Sequence, residues 1–141
     1  PVTDPRMTRF WITLPQGVQF VLDCLDRMIG GEVFVPKLPS MNVVDLARSM
    51  LPACDVETVG IRPGEKLHEV MVPLEDARNT IEFSDHYVIE PNFQFGDSKG
   101  VAQSNGGKAV GEEFEYNSGT NEWVLNSAEL REMLNASGKT D

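Results

Sequence analysis

Residues 60–69 read Gly-Ile-Arg-Pro-Gly-Glu-Lys-Leu-His-Glu, which gathers two cations, two carboxylates and an imidazole around a Pro-Gly break. An arginine fork can hold a phosphate through two parallel hydrogen bonds, and a carboxylate can accept from sugar hydroxyls. Pro63 biases Arg62 toward an extended backbone, so its guanidinium is expected at the end of a strand, and Gly64 permits a sharp turn. Glu65 is then expected to open a short helix whose free N–H groups point back at the turn. A strand end, an arginine and a helix N-terminus together would make an anion site, each charged hydrogen bond contributing about 1.5–3 kcal/mol. A carboxylate in that place would repel a phosphate, so Glu65 fits better as an acceptor for sugar hydroxyls beside a phosphate held by Arg62. The competing reading is an exposed Arg–Glu pair worth about 0–1 kcal/mol, and composition alone favours it.

A second basic cluster lies in "TDPRMTRFW", residues 3–11. Asp4-Pro5 marks a turn, which places Arg6 and Arg9 on a loop feeding a strand at residues 10–12. Loop arginines are usually solvated, and only convergence with Arg62 in space would make these a diphosphate clamp. Other chemistry is thin. Ser-Asn-Gly-Gly at 104–107 lacks an apolar strand before it and a helix after it, as a phosphate loop would need. His68 and His86 have no metal-ligand spacing around them, so no metal site is expected. Glu65 and Glu69 would share a helix face, which suits a solvated first turn better than acid–base work. Cys24 and Cys54 are expected to be free thiols.

The elements that would position these residues alternate in the first half. Thr13-Leu14-Pro15-Gln16 forms a capping box ahead of Val18, Val21, Leu22, Leu25, Met28 and Ile29, all at helical spacing until Gly30-Gly31. Residues 32–35 read as a strand. Ser40 is expected to cap a second helix carrying Val43, Leu46, Ala47, Met50 and Leu51. Residues 56–61 read as another strand, and Leu67, Val70 and Met71 as a helix ended by Pro73. This alternation predicts an α/β fold built from parallel crossover units. Further strands are expected at 80–83 and 87–89, a loop at 94–111, a loose hairpin from 114–116 and 123–125, and a last helix from Asn126-Ser127. The predicted organisation is an α/β portion at 1–91, a Gly/Asn/Ser-rich loop at 92–113, and a hairpin with a helix at 114–141.

Composition limits the partners. The 141 residues carry a formal net charge of −10, which disfavours nucleic acid and anionic membranes because both require basic patches. No apolar run is long enough to span a bilayer, and a soluble cytoplasmic location is expected.

Three stretches, "TDPRMTRFWITLPQGVQFVL", "GGEVFVPKLPSM" and "GIRPGEKLHEVM", taken in this order, resemble the C-terminal part of the inverting UDP-N-acetylglucosamine 4,6-dehydratases. These belong to the extended short-chain dehydrogenase/reductase superfamily, and the bacterial enzymes that make pseudaminic acid precursors for flagellin glycosylation are the match. The resemblance is dense over residues 2–73, looser to 91, and faint again at 113–134. It implies a substrate-binding α/β portion whose N-terminal Rossmann domain, the holder of NADP, lies outside this chain. It also implies that Arg9 and Arg62 contact the UDP moiety of UDP-N-acetylglucosamine and that Glu65 reads the ribose, with Arg6, Met7 and Thr8 as neighbours.

The glycine-rich cofactor fingerprint is absent, and neither Tyr87 nor Tyr116 is followed four residues later by lysine. The expectation is therefore a substrate-binding fragment with no catalytic, cofactor or metal residues, inactive alone. It is expected to self-associate through apolar surface normally covered by its own Rossmann domain, and the whole enzyme to form homo-oligomers. The alternative is a stand-alone binding or oligomerisation module that reuses the fold without catalysis.

Overall fold

A computed structural model of the chain describes residues 1–92 and 106–137. The chain divides into two compact units. The first comprises Pro1–Gly17, Leu38–Glu69 and Asn117–Asp141, and the second Val18–Lys37 and Val70–Tyr116.

In the first unit, strand β1 (Thr8–Phe10) pairs antiparallel with β3 (Ser40–Asn42), Arg9 lying opposite Met41. Helix α2 (Val43–Met50) follows β3 directly. Its N-cap is Asn42, whose side chain accepts from the Val44 N–H at 2.8 Å. The expected cap, Ser40, instead sits buried in β3, where its own N–H and C=O bond the backbone of residues 123 and 125. Helix α3 (Ser127–Ser137) begins as expected. The Asn126 side chain accepts from the N–H groups of Ala128 and Glu129, and Glu129 reaches back to the Asn126 N–H at 2.9 Å. Met41, Leu125 and Leu130 make the core here, with Trp11, Leu46 and Met133 packed against them.

The second unit is a four-stranded sheet ordered β2 (Val33–Pro36), β6 (His86–Ile89), β5 (Thr80–Glu82), β7 (Lys108–Ala109). Every pairing in it is antiparallel. Three successive residues of β6 are buried, which a strand allows only when both of its faces are covered. On one face His86 stacks on Phe83, with ring centroids 4.7 Å apart, and Phe34 and Phe20 stand beside it. On the other, Tyr87 packs against Phe114 and Tyr116. Strand β4 (Val70–Val72) and a 3-10 helix (Leu74–Asn79) lead into β5, and β8 is Tyr116–Asn117.

Helix α1 (Leu14–Arg27) carries the expected capping box. Thr13 N–H donates to Gln16 Oε1 at 3.0 Å, and Gln16 N–H to Thr13 Oγ1 at 3.4 Å. Its apolar stripe, however, points outward: Val18, Val21, Leu22, Leu25, Met28 and Ile29 are exposed, whereas Phe20, Asp23 and Cys24 are half-buried. Burial pushes the Cys24 thiol up from its ordinary pKa.

Several expectations are corrected. The strand–helix alternation does not build parallel crossovers, because β1 and β2, the strands flanking α1, join different ladders and both ladders are antiparallel. The mixed α/β class stands. The first strand is Thr8–Phe10, earlier than the apolar run at 10–12. Residues 56–61 form no strand; a single bridge joins Thr58 to Val2. No helix starts at Glu65, since Leu67 and Val70 flank the entry to β4 and Pro73 ends that strand. The pair of segments read as a hairpin does not pair with itself: Val124 bridges Ser40 in parallel. Of the expected loop at 94–111, residues 94–105 lie outside the described residues, and Lys108–Ala109 is a strand.

Candidate functional site

Every residue singled out for substrate binding falls in the first unit. β1 and residues 62–69 run together there, with Thr8 N–H donating to the Leu67 carbonyl at 3.2 Å. The turn at Pro63-Gly64 is closed twice. Glu65 N–H donates to the Arg62 carbonyl at 3.1 Å, and Arg62 N–H donates to Glu65 Oε2 at 3.1 Å. Gly64 takes φ +82°, a conformation that a side chain would strain, so glycine at this place follows from the turn itself.

Glu65 is held ionised. The Arg62 N–H on its carboxylate draws its pKa below the ordinary 4.5, and the Thr3 hydroxyl (3.0 Å) and the charges of Arg62 and Arg9 add to this against partial burial. Arg62 and Arg9 are thus both near enough to Glu65 for their charges to act on it. Each carboxylate oxygen has one donor from the chain, and a carboxylate has lone pairs for about four, so Glu65 can still accept from hydroxyls.

The two arginines differ. Arg9 is half-buried and its fork is engaged within the unit. Nη1 donates to the carbonyls of Thr8 (2.6 Å) and Leu67 (3.1 Å), and Nη2 donates to that of Lys66 (2.9 Å). Nε faces Glu69 Oε1 at 3.2 Å. Arg62 is exposed, and its guanidinium makes no hydrogen bond or ion pair among the described residues. The site therefore has one arginine that ties β1 to the loop and another that is open to a ligand.

The neighbours divide in the same way. Arg6 is locked onto Asp4, Nε to Oδ1 at 2.9 Å and Nη2 to Oδ2 at 2.7 Å. That bidentate bond, seconded by the Arg6 N–H, brings the Asp4 carboxyl down to about 2. Met7 is buried, its sulfur near Arg9 and Thr3. Thr8 turns its hydroxyl to His68 and Ser118 at 2.8 and 2.7 Å. Sequence reasoning missed Ser118 and Gly119 because residues 117–121 look like an ordinary turn. It also missed Thr3 and Glu69 as supports. A serine-glycine pair close to a histidine only in space leaves no local signal.

The helix N-terminus argued for at Glu65 is absent, so any anion here depends on Arg62 and not on a helix dipole. Among the described residues no group of three or more His, Cys, Asp or Glu could hold a metal ion, and no helix is long and apolar enough to cross a membrane. Tyr87 and Tyr116, 7% and 6% exposed, are packed with ring centroids 5.0 Å apart, and Pro91 and Thr120 stand where a catalytic lysine would follow.

Comparison with known proteins places this geometry in context. Residues 1–91 match a family model described as polysaccharide biosynthesis protein. The chain is 44% identical over 139 residues to the UDP-N-acetylglucosamine 4,6-dehydratase (inverting) of Campylobacter jejuni subsp. jejuni serotype O:2, covering 96% of this chain and 42% of that protein. It is 38% identical over 79 residues to the capsular polysaccharide biosynthesis protein CapD of Staphylococcus aureus, half of this chain and 13% of CapD. Among solved structures, Pen from Bacillus thuringiensis superimposes with a TM-score of 0.74 at 25% identity, over 97% of this chain and 40% of Pen. The chain spans about two fifths of the length of the dehydratases it matches.

Proposed function

Because the chain belongs to the polysaccharide biosynthesis protein family, we propose that it forms the UDP-sugar-binding portion of a 5-inverting UDP-N-acetylglucosamine 4,6-dehydratase. The observation that carries this reading is the open Arg62 guanidinium beside the ionised Glu65, on a turn within the matched segment. Arg62 binds the diphosphate or the uridine, Glu65 accepts from the ribose hydroxyls, and Arg9 holds the loop that carries both. Arg9 can also meet the UDP moiety directly, if the nucleotide replaces one of its carbonyl partners. Arg6, Met7 and Thr8 border the same site.

In this reading the chemistry takes place on the remainder of a longer protein. NADP, bound there, supplies the hydride acceptor and donor; this chain binds and orients the nucleotide. The product is a 4-keto-6-deoxy UDP-sugar for surface polysaccharide or flagellin glycan synthesis in a bacterial cytoplasm, made by a homo-oligomeric enzyme. The outward apolar stripe of α1, with Leu22 51% and Leu25 58% exposed, suits a helix covered by that remainder. Cut free, the 141-residue chain is expected to self-associate and bind a hydrophobic dye; a clean monomer without dye binding contradicts this. The function is tested by giving the full-length protein UDP-N-acetylglucosamine in deuterated water. Loss of one water with deuterium incorporated at C5 is expected, and an unchanged sugar under conditions where the protein is folded and NADP-loaded overturns the proposal.

A further inference from the structure

Ser118, Thr8 and His68 form a small hydrogen-bonded cluster within the first unit. Glu69 N–H donates to Ser118 Oγ at 2.9 Å, Ser118 N–H donates to the Glu69 carbonyl at 2.8 Å, and Ser118 Oγ donates to the Thr8 carbonyl at 3.0 Å. The Thr8 hydroxyl lies 2.7 Å from Ser118 Oγ and 2.8 Å from His68 Nδ1. A hydroxyl has one proton, which orders these contacts. If Ser118 gives its proton to the Thr8 carbonyl, Thr8 must give its own to Ser118, and His68 must donate from Nδ1. All the contacts are then made. The opposite order leaves the bond to the Thr8 carbonyl unmade, so bond counting assigns His68 the tautomer protonated at Nδ1.

Gly119 closes the cluster. A Cβ there would stand 2.7 Å from Cγ and Nδ1 of the His68 ring and 2.9 Å from Cδ2, closer than real Cβ atoms come. The Asn117 side chain, accepting from the N–H groups of Gly119 and Thr120 at 2.8 and 3.0 Å, shapes the turn that brings the glycine there.

We propose that Ser118, Thr8 and His68, sealed by Gly119, are a latch that fixes residues 66–69 against β1, and that Ser118 and His68 are positioning residues for Arg62 and Glu65. Arg9 grips the carbonyls of Lys66 and Leu67 from one side, and the latch holds His68 and Glu69 just beyond. The turn carrying Arg62 and Glu65 is thereby anchored at its C-terminal end. The link to ligand rests on the nucleotide-binding reading above, but the latch itself does not.

The test uses the full-length protein with Ser118→Ala, Gly119→Ala, and the pair Thr8→Val and Thr8→Ser. Three readouts are taken: the nitrogen resonances of His68, amide hydrogen exchange at Arg62, Glu65 and Glu69, and UDP affinity. The wild-type protein should show His68 protonated at Nδ1. Ser118→Ala should mix the tautomers, speed exchange at Glu69 and Arg62, and weaken UDP about fivefold to tenfold, the factor for one lost net hydrogen bond. Thr8→Val should do the same and Thr8→Ser should restore the wild-type signature, which a loss of packing alone would not produce. Gly119→Ala should displace the imidazole; if it fails to fold, Ser118→Ala decides. Wild-type His68 protonated at Nε2, or Ser118→Ala with unaltered His68 resonances and Arg62 exchange, overturns the latch. If the wild-type protein binds no UDP while Ser118→Ala shifts tautomer and exchange as expected, the latch stands and the nucleotide reading falls.

Discussion

Arg9 and Arg62 come from two stretches that look alike as sequence, each an arginine beside a turn, yet they meet opposite fates. Arg9 follows the Asp4-Pro5 turn onto β1, where its fork reaches the backbone carbonyls of Thr8, Leu67 and Lys66, so it builds structure. Arg62 stands on a turn whose hydrogen bonds are closed by backbone and by Glu65, which leaves the guanidinium nothing to hold. The difference shows that a cation becomes available to a ligand when the turn beneath it is already satisfied without it. An arginine's recognition value is then read from what completes its loop.

The largest expected effect that would break this contrast is on Arg9. Arg9→Ala removes a charged donor from three carbonyls and should lower unfolding free energy by about 2–3 kcal/mol in urea melts; Arg9→Lys, which keeps charge but not the fork, should fall between. Arg62→Ala should shift the same melt by less than about 0.5 kcal/mol, as an exposed residue without partners does. A similar loss for both variants would erase the distinction.

Glu65 sharpens it further. Its pKa is lowered in the folded chain, so the stabilisation it gives the turn is fully present above its ordinary 4.5 and is lost as pH falls through the lower folded value. Its carboxyl resonance should titrate below 4.5, and amide exchange at Arg62 should quicken in the same acidic window. The smallest effect concerns Asp4, which should titrate at about 2; Arg6→Ala should return it toward 3.8. Titration of Asp4 near 3.8 with Arg6 intact would mean that the bidentate pair is not formed in solution.

What the sequence disclosed follows the range of the forces involved. The capping box at Thr13-Gln16 and the helix start at Asn126-Ser127 are local signals, and both helices begin where those residues say. The strands expected at 32–35, 80–83 and 87–89 also form, at 33–36, 80–82 and 86–89, because short runs rich in β-branched and aromatic residues are a local signal. Parallel or antiparallel pairing depends on which strands meet, and short runs flanking a helix carry no record of that. Helix α1 shows the same limit: its period announces an apolar face, but α2 and α3 turn theirs to the Met41–Leu125–Leu130 core while α1 turns its own outward. At residues 65–71, helical spacing of Leu67, Val70 and Met71 lost to the pairing of Thr8 with Leu67 and the grip of Arg9 on that backbone. The turn carrying Arg62 and Glu65 was legible because Pro63-Gly64 makes a turn whatever surrounds it; the Ser118 latch was not, because its members lie 60 and 110 residues apart.

The central claim, that Arg62 is the open cation of a nucleotide site, is tested most directly by titrating UDP into the full-length protein and its Arg62→Ala variant by calorimetry at low salt. The account predicts binding by the wild type and a loss of about tenfold to a hundredfold in the variant, the range for one charged hydrogen bond. Equal UDP affinity for the two proteins would contradict it.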